Sequence, residues 1–163
     1  MNEQDPPPPI GLPLSGRLLA IDLGEKRIGL ALSDPTQFLA KAHQVFKRRS
    51  RREDFARIQS VIAAESAVGV VVGVPINRGS GVSSTENWVR NYAADLATRL
   101  TVPLTLVDES FTTADARASL RAQGRRGRRT RDEIDAVAAA FILQRYLDTR
   151  RDAEDVGDET TAS

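Results

Sequence analysis

The spacing of apolar positions changes along the chain, and each change marks an element. Leu18-Leu19-Ala20-Ile21 is a short apolar run that ends at Asp22-Leu23-Gly24. Ile28 to Ser33 follows after a four-residue turn, the spacing of a hairpin. A third extended piece is predicted around His43 to Phe46. Phe55, Ile58, Val61 and Ile62 then recur at helical intervals. Val68 to Val74 is a β-branched run interrupted by glycine, as in a strand covered on both faces. Ser83-Ser84-Thr85-Glu86 is a capping box before a helix carrying Trp88, Val89, Tyr92, Leu96 and Leu100. Pro103 stops that helix, and Leu104 to Val107 forms a strand ending at Asp108-Glu109. Thr113 to Leu120 has helical spacing. Thr130-Arg131-Asp132-Glu133 is a second capping box, before Ile134, Val137, Ala138, Phe141, Ile142 and Leu143. Strands first in hairpins, then alternating with helices, predict an α/β fold with a mixed sheet and helices packed on it.

The 163 residues suit one domain with a real core. Residues 1–16 hold Pro6 to Pro9 and Pro13 and almost no core pattern, so they are expected to form a disordered arm. Residues 152–163 are acidic and polar and are expected to be a disordered tail, leaving 17–151 as the folded domain. Cysteine is absent and His43 is the one histidine, which excludes disulfides, thiolate metal sites and histidine triads. No apolar run is long enough to cross a bilayer, and no secretory signal pattern precedes the first strand; a cytoplasmic protein is expected. The net charge of +1 hides an asymmetry: residues 17–151 carry all 23 Lys and Arg but 15 of the 22 acids, a local +8. A basic body of that kind is the electrostatic footprint of a polyanion binder.

Within that basic body three acids stand out. Asp22 directly follows a strand that reads as buried, Glu109 follows another, and Asp135 lies early in an apolar, alanine-rich helix. A buried carboxylate needs a partner. Strand ends in an α/β sheet converge at one edge, and three carboxylates without His or Cys make an oxygen-rich pocket suited to Mg²⁺ or Mn²⁺. Two such ions serve phosphoryl transfer, with Asp22 bridging and Glu109 and Asp135 on either side. Taken singly, each acid also has a plain role: a turn residue, an arginine partner, a first-turn acid on the helix dipole.

Around them lie candidate phosphate contacts. Gly24 and Gly29 suit a tight turn, and Lys26 and Arg27 beside them can reach a backbone phosphate. Arg78 and Ser80 sit in Asn77-Arg78-Gly79-Ser80-Gly81, before a helix N-terminus that favours an anion; the loop lacks P-loop spacing. Arg125, Arg126, Arg128, Arg129 and Arg131 form the densest cationic stretch, suited to phosphate without reading bases. Lys47, Arg48, Arg49, Arg51 and Arg52 form a second cluster that is equally well a solvated surface. Trp88 reads as core, and His43 as structural.

Asp22-Leu23-Gly24-Glu25-Lys26-Arg27-Ile28-Gly29-Leu30-Ala31-Leu32-Ser33-Asp34 resembles the opening motif of the YqgF/RuvX family. The resemblance continues through Val72-Gly73-Val74-Pro75, Gly79-Ser80-Gly81, Asp108 to Thr113 and Ile134 to Ala139. Members are described as Holliday-junction resolvases and as pre-16S rRNA nucleases of the RNase H-like superfamily. The resemblance implies a five-stranded mixed sheet flanked by helices, with Asp22, Glu109 and Asp135 as catalytic and metal-holding acids. It departs at Ser110, where the family often has a basic residue, which leaves the carboxylates intact but not that phosphate contact. The function implied is a metal-dependent endonuclease acting on junction DNA or structured RNA, and a homodimer if two strands are cut symmetrically. The competing reading is a non-catalytic nucleic-acid-binding module of the same fold. A kinase-like ATPase, suggested by Asp22-Leu23-Gly24, would need two lobes, and the chain is too short for them.

Overall fold

The computed structural model describes residues 11–76, 81, 83–109 and 131–161, with 131, 132 and 155–161 described by backbone alone. Five strands are present: β1 (Leu18–Leu23), β2 (Arg27–Ser33), β3 (Ala40–Lys47), β4 (Gly69–Val74) and β5 (Leu104–Asp108). They form one sheet in the order β3-β2-β1-β4-β5. β1–β2 and β2–β3 are antiparallel, and β4 and β5 run parallel to β1. This is the mixed sheet expected from the hairpin spacing followed by strand–helix alternation. The predicted helix over Thr113 to Leu120 lies outside the described residues.

Alternate residues of the central strands face two different layers. Leu19, Ile21 and Leu23, with Leu30, Val70 and Val72, pack under α1 (Arg51–Glu65) and α2 (Ser84–Arg99). Leu18, Ala20, Ala31 and Val71 pack under α3 (Arg131–Thr161) through Ala139, Ile142, Leu143 and Leu147. Both faces of β1 are covered, so all six of its residues are buried. The capping signals act locally: the Ser50 side chain accepts from the Glu53 amide to open α1, and the Ser83 side chain accepts from the Glu86 amide to open α2.

Both expected ends of the domain move outward. Leu12 is 2% exposed and belongs to the α3-side core. Arg150 donates to the carbonyls of Leu12 and Pro13, while Gln37 donates to those of Pro13 and Gly16. Residues 11–16 are therefore part of the fold, because one leucine and a few backbone carbonyls suffice to dock them; residues 1–10 lie outside the described residues. At the other end α3 runs on to Thr161, so most of the acidic stretch is helical rather than a disordered tail. Once a helix is nucleated, adding solvent-facing residues needs no new nucleus. No described helix is long and apolar enough to cross a membrane.

Candidate active site

The ends of β1 and β5 put Asp22 and Glu109 at the same edge of the sheet, while Asp135 lies in the first turns of α3. Asp22 is the fifth residue of β1 and shares a face with Leu18 and Ala20, toward α3. Its partner across the antiparallel pair is Gly29. On its other side Ile21 pairs with Val72, so Gly73 stands next in line beside Asp22. The Glu109 amide donates to the Val74 carbonyl at 3.0 Å, continuing the β4–β5 ladder one residue beyond the strand.

Two glycines make room for the other acids. A Cβ on Gly29 would lie 2.3 Å from the Asp135 carbonyl oxygen, so the first turns of α3 rest directly on the β2 backbone. A Cβ on Gly73 would lie 2.8 Å from Glu109 Oε2 and 2.6 Å from Ile142 Cδ1. Gly29 thus serves close approach within a strand, not the tight turn expected of it. The turn belongs to Gly24, whose amide donates to the Arg27 carbonyl at 2.9 Å.

Asp22 is 2% exposed and Glu109 is 7% exposed, whereas Asp135 is half-buried. Asp135 Oδ2 accepts from Arg27 Nε at 3.1 Å, an ion pair between residues 108 apart in sequence. With that carboxylate turned toward arginine, no three acidic or histidine side chains among the described residues stand in the arrangement of a formed metal cage. The donor chemistry nevertheless suits a hard divalent cation: carboxylate oxygens alone, with Asp22 beside Gly73 and the Glu109 carboxylate against it.

Of the expected phosphate contacts, Lys26 is exposed at the tip of the β1–β2 turn, and Arg27 is committed to Asp135. Arg131 opens α3 by its backbone. Arg78, Ser80, Ser110, Arg125, Arg126, Arg128 and Arg129 lie outside the described residues.

Sequence reasoning missed the support beneath the β1–β2 turn. Arg48 Nη1 donates to the carbonyls of Gly24 and Glu25 at 3.2 and 2.9 Å, and its guanidinium lies 4.3 Å from the Trp88 ring centroid. Its Nε is 4.0 Å from Asp54 Oδ2, and Asp54 is 1% exposed. Asp54 also accepts from the Arg49 amide and the Tyr92 hydroxyl. Burial pushes the Tyr92 phenol well above its ordinary range, and the Asp54 charge adds to this, so Tyr92 stays a neutral donor. The cationic run 47–52 hid this role. One usable signal was an acid, Asp54, in the first turn after the Ser50 cap. Trp88 packs against the core as expected, with Arg48 on its face.

Beside Glu109 an open cleft of about 530 Å³ lies between the β1–β2 turn and the start of α2. Its walls include Leu23, Pro75 and Trp88, with Ser84 and Thr85 at the helix end.

The family model of RuvX, described as Holliday junction resolvase, matches residues 16–149. The chain belongs to this family. Among relatives of the RuvX chain, a "Putative pre-16S rRNA nuclease" of Mycobacteroides abscessus is 41% identical over 148 residues, covering 90% of this chain and 89% of that one. A protein of the same name from Nocardioides sp. is 43% identical over 143 residues, covering 84% and 90%. The fold agrees: T. thermophilus RuvC in complex with Holliday junction substrate superposes with a TM-score of 0.52 at 19% identity, over 83% of this chain and 95% of that one. The yeast mitochondrial Holliday junction resolvase Ydc2 gives 0.50 at 12% identity, over 83% and 79%. RuvX membership places the chain among nucleases, and the RuvC likeness makes its sheet the RNase H-like sheet expected from the motifs.

Proposed function

We propose that this chain is a divalent-metal-dependent endonuclease that hydrolyses phosphodiester bonds in structured nucleic acid, either Holliday-junction DNA or the precursor of 16S rRNA. The observation that carries the reading is that Asp22 has Gly29 on one side, with the Asp135 backbone resting on it, and Gly73 on the other, with the Glu109 side chain against it. Carboxylate oxygens at one sheet edge are the ligands a hard divalent cation takes, and a nuclease has a use for one. Asp22, Glu109 and Asp135 would hold Mg²⁺ or Mn²⁺. When bound, two such ions activate water and stabilise the leaving oxygen in an in-line displacement. Of the three acids, Glu109 lines the cleft between the β1–β2 turn and α2. Arg27 holds the Asp135 carboxylate in place from the neighbouring strand. Lys26, Arg78, Ser80 and the Arg125, Arg126, Arg128, Arg129 and Arg131 stretch supply sequence-independent phosphate contacts whose grip falls with salt. The relatives' name supports the RNA substrate, and the RuvC neighbour, solved with a junction, supports the DNA one. A symmetric junction would be cut by a homodimer.

The test sets four-way DNA junctions and precursor ribosomal RNA side by side, with Mg²⁺, with Mn²⁺ and with EDTA. The wild-type chain is expected to cleave one of them only with metal. Asp22→Asn is expected to remove cleavage while binding survives. Full activity of Asp22→Asn would reject the catalytic assignment, and metal-independent binding with no product from either substrate would leave the binding-module reading in its place.

A further inference from the structure

The cleft beside Glu109 is built unlike a phosphate site. Among the described residues its lining includes two acids, Glu25 and Glu109, and one cation, Arg48, which already faces Asp54 and the carbonyls of Gly24 and Glu25. With no cation on Glu109, the described lining offers an incoming phosphate more negative charge than positive. The remaining surface is apolar on one side, at Leu23, Pro75 and the half-buried Trp88, and polar on the other, at Ser84 and Thr85. The Ser84 and Thr85 amides at the start of α2 have no intrahelical acceptor and add donors at that end. A flat, neutral ring with hydrogen-bonding edges satisfies both sides. About 530 Å³ lies within the usual range for a small-molecule pocket.

We propose that this cleft receives one unpaired nucleoside of the substrate strand, its base held against the wall formed by Trp88 and Arg48 and its edge met by Ser84 and Thr85. Every base has a π-face, so the planar Arg48 guanidinium lying over the Trp88 ring can stack on it with little sequence preference. Extruding a base is least costly where it is already unpaired, as at a bulge, a loop or a branch point. The inference rests on the nuclease reading and deepens it. The substrate class becomes nucleic acid with an unpaired nucleotide next to the cut, and the cleft places that nucleotide beside Glu109. Arg48 gains a positioning role, since it holds both the Gly24–Glu25 turn and the Trp88 ring that form two sides of the cleft.

Trp88 is the only tryptophan, so its fluorescence reports on the cleft directly and without turnover. The full chain carrying Asp22→Asn is titrated with a stem bearing one bulged nucleotide and with the same stem fully paired, each as RNA and as DNA. The bulged stem is expected to quench Trp88 and to bind about tenfold tighter, the scale of one base–aromatic stack. Thr85→Tyr on the same background fills the cleft from an exposed helix position, sparing the core. It is expected to abolish the tenfold preference while both stems still bind. Equal binding and equal quenching by the two stems would sink the nucleoside cleft and leave the nuclease reading standing, as would a preference that survives Thr85→Tyr. Failure of both stems to bind at any salt concentration would overturn the two together.

Discussion

The buried acid Asp54 and the surface acid Asp34 are both held by the donors that face them. Asp54 is fully supplied: the Arg49 amide, the Tyr92 hydroxyl and the Arg48 guanidinium all approach it. Tyr92→Phe removes one donor from a carboxylate that stays buried. The expected loss is about 1–3 kcal/mol of stability, measured by urea unfolding, with secondary structure unchanged. Asp34 shows the same logic at the surface. The Leu39 and Phe38 amides and both the amide and hydroxyl of Thr36 donate to its carboxylate, which holds its pKa well below the ordinary 3.8. The charged form is the one these donors favour. Their contribution is therefore complete above about pH 4 and is lost as pH falls below 3.8 toward the lowered value. Amide exchange at Leu39 is expected to accelerate in acid before exchange in β1 does. Nothing in the local sequence around Asp54 announces Tyr92, which is 38 residues away, whereas Asp34 draws its partners from the next five residues and is legible as a turn.

At the scale of elements, the seam between β2 and α3 sets where Asp135 lies against the sheet. Helix and sheet approach closely because Gly29 and Ala31 on β2 face Ala136, Ala138 and Ala139 on a helix of small side chains. Gly29→Ala places a methyl group 2.3 Å from the Asp135 carbonyl, against backbone that cannot rotate away. A loss of at least about 1–3 kcal/mol is expected on thermal or urea unfolding, along with weakened cleavage, since Asp135 moves with the helix. Gly11→Ala is the control: a Cβ there meets nothing within 4 Å and should be silent. The element boundaries themselves were largely readable. The Ser83 capping box opens α2 where it was expected, and the Val68 to Val74 run yields β4 at Gly69–Val74. The role of Gly29 was not readable, because a glycine in a hairpin motif looks the same whether it bends the chain or admits a helix 106 residues later.

For the whole molecule, the decisive contacts join its ends. Leu12 sits in the α3-side core and its carbonyl accepts from Arg150, so the stretch before β1 is fastened to the last helix. Leu12→Ala is expected to cost about 2–5 kcal/mol, read by denaturant titration; a surface-like change below about 0.5 kcal/mol would show that the segment is not part of the cooperative unit. By itself the sequence determined the alternation of strands and helices, the caps, the basic body, the family motifs and the three candidate acids, because periodicity, turn chemistry and charge are properties of neighbouring residues. Only the tertiary structure decided that β1 lies between β2 and β4, that Asp22 stands between Gly29 and Gly73, that Arg27 takes Asp135 and that Arg48 serves Asp54 and Trp88 rather than solvent. Those outcomes depend on strand register and on side-chain volume across a packed interface, and neither is encoded in any short stretch of the chain.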